Sequence, residues 1–215
     1  MNSLTLTIGD KNLSSWSLRP WLLMKETGIA FTEETILLDR PETRSILKEK
    51  SPSGLVPFLT HAQGGESVQL WDSLAIAEYL NDLYPEKNLW PEDRAARALA
   101  RSISAEMHSG FAPLRAVWPM QVLKRDIGHL TSGGVQRDID RVLALWSESR
   151  RKFGAGGPFL FGAFSIADAM YAPVVTRFVT YGPVAMDDDC AAYMKTIMGL
   201  GGMKAWIEGA AAQTG

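Results

Sequence analysis

Two adjacent serines stand where a short β-like run gives way to a helix-like run. They lie in the segment NLSSWSLRP, residues 12–20, as Ser14 and Ser15. A hydroxyl at the first turn of a helix faces the positive end of the helix dipole, which favours an anion. Simple N-capping, which serine supplies routinely, is the alternative reading. The sequence lacks a GxSxG elbow, so a serine hydrolase is not indicated.

A proline inside a predicted strand marks the second segment. SGLVPFL, residues 53–59, places Pro57 after Val56. Proline cannot donate to a strand ladder, so it belongs at an edge or in a special turn. A cis Val56–Pro57 bond would turn the Val56 amide and carbonyl outward, ready to pair with an extended peptide. A trans edge proline is the alternative, since only about 5–6% of X-Pro bonds are cis.

A carboxylate and a hydroxyl open the third segment, WDSLAIAEYL, residues 71–80. Asp72 and Ser73 come directly before an apolar-periodic helix. Amides at that helix start, together with the Ser73 hydroxyl, could hold a carboxylate, while Asp72 could accept an ammonium. The combination suits an amino-acid head group, and capping alone is the alternative. The fourth segment, Ser165 to Asp168, matches a capping box and is interpreted as structural.

Alternating and helical periodicities predict the elements that must position these segments. The first 83 residues predict the order β-α-β-α-β-β-α, and from residue 91 onward the pattern is helical. The predicted strands are residues 4–8, 31–38, 55–60 and 67–71. The predicted helices are residues 15–28, 42–50, 74–83, 92–110, 134–153, 166–181, 187–198 and 203–211. We therefore predict an α+β domain over 1–83, a linker over 84–90 and an all-helical domain over 91–215.

Composition excludes several classes of protein. The single cysteine, Cys190, allows no disulfide framework or CxxC pair. The three histidines, His61, His108 and His129, lack metal-ligand spacing, so no metal is expected. A net charge of −2 gives no basic footprint for nucleic acid. No apolar run is long enough to span a membrane, and the N-terminus lacks a secretion signal, so we expect a cytoplasmic protein without a membrane partner.

The four segments, in this order and spacing, resemble the glutathione S-transferase superfamily. The resemblance covers nearly the whole chain and includes SGLVPFL, WDSLAIAEYL with the tail DLYPEKNLWP, and FSIADAMYAP. It implies a thioredoxin-like N-terminal domain followed by an all-helical C-terminal domain. LSSWSLRP and Ser109–Leu114 are most similar to the zeta class. That class has a cysteine where Trp16 stands and a polar residue where Ala112 stands, which weakens transfer of its maleylacetoacetate isomerisation.

The resemblance also implies roles for the segments, with glutathione as co-substrate. Ser14 would donate a hydrogen bond to the glutathione sulfur, with Ser15 as the competing candidate. Val56 and Pro57 would present backbone to the cysteinyl unit, while Asp72 and Ser73 would hold the γ-glutamyl end. The first tyrosine is Tyr79 and Cys190 lies deep in the helical half, which leaves a serine-type enzyme. Arg40 and Lys48 are both candidates for the glycine carboxylate.

Four residues of the helical half could face the second substrate. His108, Phe111, Arg115 and Trp118 follow helical spacing and lie near one predicted face, although Pro113 and Pro119 predict a kink or break. The two aromatic rings could line an apolar pocket, and Arg115 could attract an anion. The alternative is that the rings are interdomain core and Arg115 is solvated.

The sequence supports three functional hypotheses. The first is a glutathione transferase that conjugates small electrophiles, with peroxidase activity as a further expectation. The second is a non-catalytic transferase-like binding protein. The third is a zeta-like glutathione-dependent isomerase. The resemblance further implies a homodimer.

Overall fold

Apolar side chains at alternate positions place the first strand at the centre of a four-stranded sheet. The computed structural model describes residues 2–128 and 131–214, so His129 lies outside the described residues. Leu4, Leu6 and Ile8 of β1 are buried. The strands are β1 (Asn2–Ile8), β2 (Thr32–Thr35), β3 (Phe58–Gln63) and β4 (Glu66–Trp71). Their order is β2-β1-β3-β4, with β1 parallel to β2 and the other two pairings antiparallel.

Three helices complete the sheet half of the molecule in the predicted order. They are α1 (Ser15–Glu26), α2 (Thr43–Lys50) and α3 (Ser73–Leu83). Helix α1 ends just before Gly28, which takes a left-handed φ of 67°, the conformation that favours glycine after a helix. The apolar residues of α1 and α3 pack on the sheet and on each other. The predicted thioredoxin-like arrangement is confirmed.

Two of the four predicted strands miss a boundary by three residues. The strand predicted at 31–38 is only four residues long. The strand predicted at 55–60 begins three residues later, at Phe58. The Ser51 hydroxyl accepts from the Leu55 amide at 3.1 Å and donates to the Leu55 carbonyl at 2.7 Å. These local bonds, and the missing N–H of Pro57, keep this stretch out of the ladder.

The remainder of the described chain is helical, as predicted. The helices are α4 (Arg94–Ser109), α5 (Ala112–Val117), α6 (Gly133–Phe153), α7 (Ile166–Tyr181), α8 (Asp188–Gly199) and α9 (Gly201–Thr214). Every residue of α7 except Val179 is buried, so this helix forms the centre of the helical half. The predicted capping box starts α7: Asp168 accepts from the Ser165 amide at 2.9 Å and from its hydroxyl at 3.0 Å.

No helix in the described part of the chain is both long and apolar enough to cross a membrane.

A break between α4 and α5 corrects the prediction of one helical face for His108, Phe111, Arg115 and Trp118. Helix α4 ends at Ser109, and Phe111 adopts a left-handed φ of 58° before α5 begins. Phe111 and Trp118 are both buried in the main core, where Trp118 stacks on Tyr181 with the ring centroids 5.4 Å apart. Helical spacing does not apply across this segment, because the turn at 110–111 ends α4. The residues of α5 therefore do not continue the face of α4.

Helices α7 and α9 pack against α1 and join the two halves of the molecule. The loop that leads into α1 is held from the helical half by side chains and main chain. Trp206 Nε1 donates to the Lys11 carbonyl at 2.7 Å, and Gln213 Oε1 accepts from the Lys11 amide at 2.9 Å. The Asn12 carboxamide accepts from the Leu123 amide at 3.2 Å. The segment that carries the two serines is thus positioned by the helical half, while the domain and linker boundaries stay predictions.

Candidate active site

A cavity of about 340 Å³ opens where the N-terminus of α1, the loop before β3 and the cap of α3 meet α4. Four of the residues predicted to bind a ligand line it together, and one of the four predicted to face the second substrate lies there too. The lining residues are Trp16, Ser53, Leu55, Val56, Pro57, Trp71, Asp72, Ser73 and His108. The fold therefore brings the segments SGLVPFL, residues 53–59, and WDSLAIAEYL, residues 71–80, together at one cavity.

Val56 offers unpaired main chain to this cavity. The Val56–Pro57 peptide bond is cis, as one of the two sequence readings predicted. Neither the N–H nor the C=O of Val56 bonds to another of the described residues. Backbone N–H and C=O groups inside proteins almost always have a hydrogen-bond partner. The free N–H and C=O of Val56 at the cavity wall are therefore available to a ligand with a peptide backbone.

Asp72 also lines the cavity, as the N-cap of α3. Its Oδ1 accepts from the amides of Leu74 at 2.8 Å and Ala75 at 3.3 Å. The residue adopts a φ of 77° and a ψ of 130°, which lie outside the backbone regions that residues other than glycine usually occupy. Its other carboxylate oxygen, Oδ2, lies 3.1 Å from His108 Nε2. One oxygen thus caps the helix, and the other faces the cavity beside the His108 ring.

A buried arginine lies beneath the cavity floor. Arg19 of α1 donates from Nη1 to the buried Ser73 hydroxyl at 3.4 Å. Its guanidinium stacks over the Trp16 ring at 4.3 Å. Burial, with the nearby Arg177 and Arg115 charges, lowers the pKa of Arg19 to about 9. The Arg19 Nε has no hydrogen-bond partner within the described chain. Positive charge therefore accumulates under the walls formed by Trp16 and Ser73.

The two candidate serines have different partners. Ser14 is the N-cap residue of α1, yet its side chain makes no capping bond and instead donates to Ser17 Oγ at 2.7 Å. Ser17 Oγ also accepts from the Gly9 amide at 3.0 Å. Ser15, the first residue of the helix, is half-buried, and its oxygen accepts from Arg177 Nη2 at 3.2 Å. Neither serine is among the residues that line the cavity, although Trp16, which follows Ser15 in the chain, is one of them.

Arg177 reaches Ser15 from the middle of α7. Its remaining donors meet neutral acceptors: Nε donates to the Trp118 carbonyl at 2.8 Å, and Nη1 donates to the Pro173 carbonyl at 3.0 Å. No carboxylate of the described residues lies within ion-pair distance of it. Burial, followed by the Arg115 charge, lowers the pKa of Arg177 to about 10. The guanidinium is thus a buried positive charge without a counter-ion.

Arg115 is half-buried at the edge of the same region. It lies over the Trp16 ring at 5.4 Å, and its Nη1 donates to the His108 carbonyl at 3.3 Å. The Trp16 and His108 rings meet edge to face at 5.3 Å. Burial lowers the pKa of Arg115, while Asp138 opposes that shift. Of the four predicted residues, His108 therefore lines the cavity, Arg115 contacts two of its lining residues without lining it, and Phe111 and Trp118 are buried in the core.

The two candidates for the glycine carboxylate differ in position. Lys48 lines a second cavity of about 370 Å³ together with Arg44, and that cavity shares Ser53 with the first. Arg40 lies exposed in the loop before α2 and lines neither cavity. The geometry therefore favours Lys48, with Arg44 as an additional cation that the sequence analysis did not single out.

Cys190 lies far from this cavity in the fold, at the start of α8. Its thiol is buried among Ser147, Asp187 and the Leu143 carbonyl, and burial raises its pKa to about 11. The described residues contain no group of three or more potential metal ligands. The nucleophile of this site therefore comes from a bound ligand if it is a sulfur.

Sequence reasoning did not assign a role to Arg177 or Arg19. A weak signal existed for Arg177, because it is the only cation in the apolar stretch of α7. Nothing local could show that it reaches Ser15, since the two residues are 162 positions apart. Trp71 and Leu55 were quoted only within their motifs, although both line the cavity and are exposed.

Sheet topology, the following helical half and the cavity at the start of α1 define the class of glutathione-dependent transferases. The family models for the N-terminal and C-terminal domains of glutathione S-transferase match residues 13–83 and 92–209. The chain therefore belongs to the glutathione S-transferase family.

Individual relatives support the same family. The chain is 31% identical over 162 residues to a protein named probable maleylacetoacetate isomerase from Caenorhabditis elegans, covering 74% of this chain and 73% of that protein. It is similar in structure to a glutathione transferase homologue from Burkholderia gl BGR1 with bound glutathione, at a TM-score of 0.69, 25% identity and 98% coverage of both chains. The omega 2S glutathione transferase of Trametes versicolor has the same fold, at a TM-score of 0.70, 22% identity and coverage of 100% of this chain and 97% of that chain.

Proposed function

We propose that this protein is a serine-type glutathione transferase that joins the glutathione sulfur to small electrophiles. The observation that carries the proposal is that the unpaired main chain of Val56 and the helix-capping carboxylate of Asp72 line one cavity. That pairing suits a γ-glutamyl peptide, which presents both an extended backbone and an amino-acid head group. The bound glutathione in the Burkholderia homologue agrees with this assignment.

Glutathione lies across the cavity in the proposed complex. Its γ-glutamyl ammonium meets Asp72, and its α-carboxylate meets the Ser73 hydroxyl at the N-terminus of α3. The cysteinyl unit pairs with the main chain of Val56 in the manner of an added strand. Its glycine carboxylate extends past Ser53 toward Lys48, with Arg40 as the more distant alternative.

The chemistry requires ionisation of the glutathione thiol. A free thiol has a pKa near 8.5, so only a few per cent is ionised at pH 7. The N-terminus of α1 and a hydroxyl from Ser14 or Ser15 stabilise the thiolate, and its proton passes to solvent. The sulfur then forms a bond to the electrophilic carbon, and the leaving group departs with the electron pair of the bond that breaks. The serine keeps its own proton and acts as a hydrogen-bond donor.

The electrophile binds on the side of the helical half. His108 lines the cavity there, and Arg115 lies against the Trp16 ring and the His108 carbonyl, while Phe111 and Trp118 are buried in the core. Arg115 has no ion-pair partner among the described residues, so it is available to an anionic group on the substrate. We further propose that the protein acts in the cytoplasm as a homodimer in detoxification, by its resemblance to the family.

Calorimetry and a conjugation assay on the same sample test the proposal. We expect glutathione to bind and a chlorodinitrobenzene-type probe to be conjugated. The Ser14→Ala/Ser15→Ala double variant should lose most of the turnover while retaining glutathione affinity. Ser102→Ala, which removes an exposed hydroxyl of α4, is the matched control. Full turnover in the double variant would overturn the serine-type mechanism, and cumene hydroperoxide in the same assay tests for peroxidase activity.

A glutathione-dependent isomerase is the second candidate, favoured by the similarity to the Caenorhabditis elegans protein. Trp16 replaces the cysteine of the zeta pattern, so we expect slow isomerisation of maleylacetone compared with conjugation. Rapid isomerisation would favour this candidate over the transferase. Tight glutathione binding without turnover across a broad panel of electrophiles would instead identify a non-catalytic binding protein.

A further inference from the structure

The second cavity, which Lys48 lines, is larger than a glycine residue requires. Its volume is about 370 Å³, against about 340 Å³ for the first cavity, which Val56 and Asp72 line. In the proposed complex the first cavity holds the γ-glutamyl and cysteinyl units of glutathione, whereas the second receives only the glycine. The two cavities adjoin at Ser53, which lines both. The second cavity therefore has room for a third residue bulkier than glycine.

The walls of the second cavity suit a polar, anionic group. They contain no acidic residue and no large apolar side chain, since the lining residues are Arg44, Lys48, Ser51, Pro52, Ser53 and Gly54. An apolar ligand group would bury little apolar surface against such walls and would gain little from the hydrophobic effect. A carboxylate would instead meet cationic donors, which form the stronger, charge-assisted hydrogen bonds.

Arg44 and Lys48 are exposed cations without counter-ions. They are four positions apart on α2, so their side chains lie on one face of that helix. Neither has a carboxylate within ion-pair distance among the described residues. Glutathione would bring one negative charge to this cavity, that of its glycine carboxylate. Two cations would thus face one anion, which leaves one positive charge of the cavity unmatched.

We infer that the second cavity selects thiol peptides whose third residue carries a second carboxylate, with γ-glutamyl-cysteinyl-glutamate as the simplest member of the class. One carboxylate of that residue pairs with Lys48 and the other with Arg44. The inference rests on the proposed function, because it extends the site in which glutathione is placed. The two cations are specificity-determining residues for the thiol substrate, and the reaction at the sulfur is unchanged.

Calorimetry with three synthetic tripeptides tests the inference. The peptides are γ-glutamyl-cysteinyl-glutamate, γ-glutamyl-cysteinyl-glutamine and glutathione, so the first two differ in one charge at nearly equal size. We expect the glutamate peptide to bind about threefold more tightly than the glutamine peptide, since an exposed ion pair contributes modestly. In the conjugation assay, kcat at saturating thiol should agree within about twofold for all three peptides, and KM should carry the difference.

Removal of the two cations should abolish this selectivity. Arg44→Gln/Lys48→Gln changes exposed residues, so the fold should be retained, and the glutamate and glutamine peptides should bind equally. Arg151→Gln/Lys195→Gln is the matched control, because it removes one arginine and one lysine from exposed positions that line neither cavity. Raising the ionic strength from about 0.01 to about 1 M shortens the Debye length from about 30 to about 3 Å, so it should also remove the parental preference.

The outcomes separate this inference from the proposed function. A parent protein that binds no glutathione would overturn both. Glutathione binding with equal affinity for the glutamate and glutamine peptides would overturn the inference alone. So would a preference for glutamate that persists in Arg44→Gln/Lys48→Gln, because other residues would then recognise the charge. Much weaker binding of both longer peptides than of glutathione would show a site closed to residues larger than glycine and would likewise contradict the inference.

Discussion

His108 Nε2 lies 3.1 Å from Asp72 Oδ2, which joins α4 of the helical half to the N-terminal cap of α3. The same carboxylate caps α3 through its other oxygen. One side chain therefore has two tasks, since it stabilises a helix start and presents a negative charge to the cavity. The contact also explains why His108, which follows Asp72 by 36 positions in the chain, borders a site that is built mainly by the sheet half.

Neutralising Asp72 should weaken glutathione binding without changing the chemical step. We expect Asp72→Asn to raise KM for glutathione about tenfold, because an ionic hydrogen bond contributes about 1.5–3 kcal/mol. Asparagine is as good an N-cap and also tolerates a positive φ, so the fold should be retained. Steady-state kinetics should show kcat within about twofold of the parent. Asp93→Asn, the equivalent change at the cap of α4, is the control, and an equal loss in kcat would contradict the assignment.

Asp168 should make stability depend on pH in an unusual direction. Burial raises its pKa to about 6, against the hydrogen bonds from Leu160 and Ser165 that lower it. Between its ordinary value of 3.8 and about 6 the folded state holds more protons than the unfolded state, so this group's contribution to stability falls as pH rises through that window. Below the window the contribution is fully present.

Urea unfolding at several pH values checks this expectation, with Asp168→Asn as the reference. The variant should be less stable, because it loses acceptor oxygens of the capping box. The stability advantage of the parent over the variant should shrink from pH 4 to pH 6 and stay level above pH 7. An advantage that grows over the same interval would show that the carboxylate is stabilised in its ionised form.

Cys190 should be unreactive in the folded protein and dispensable for catalysis. Its pKa is raised to about 11 by burial, and it is the thiolate form that attacks thiol reagents. We expect a thiol-specific colorimetric reagent to label no cysteine in the native protein and one per chain in guanidinium chloride. Cys190→Ala should keep the conjugation rate within about twofold, since the cysteine does not border the cavity. Loss of turnover in a folded Cys190→Ala variant would support a cysteine-type enzyme instead.

Trp206→Phe should loosen the loop that leads to the serines. The change keeps an aromatic ring but removes the indole N–H that donates to the Lys11 carbonyl at 2.7 Å. Because that carbonyl is buried with Lys11, its lost partner should lower the free energy of unfolding by about 1–3 kcal/mol. Trp90→Phe is the control, since its indole donates to the partly exposed Glu78, which can bond water instead. Urea unfolding curves of equal midpoint for both variants would contradict the role of Trp206.

Local rules were enough to predict most elements of the fold. Helix α7 begins at Ile166 and ends at Tyr181 as predicted, because a capping box starts it and Gly182 follows it. The caps of α1 and α3 were also predictable, since Ser14 and Asp72 are residue types that favour such positions. A kink or break near Pro113 and Pro119 was predicted, but the left-handed conformation of Phe111 was not, because such a conformation in a non-glycine residue is set by packing.

The sequence by itself determined the residue types of the site and their order, because capping and strand periodicity are local properties. Only the tertiary structure decided which of them meet. Ser14 and Ser15 are equivalent in local terms, and they differ because Arg177, 162 residues beyond Ser15, donates to one of them. The burial of Phe111 and Trp118 in the core likewise depends on tertiary packing, and the cavity that Lys48 lines is formed by α2 and the loop before β3. Such contacts are made by residues far apart in the chain, which no spacing rule can relate.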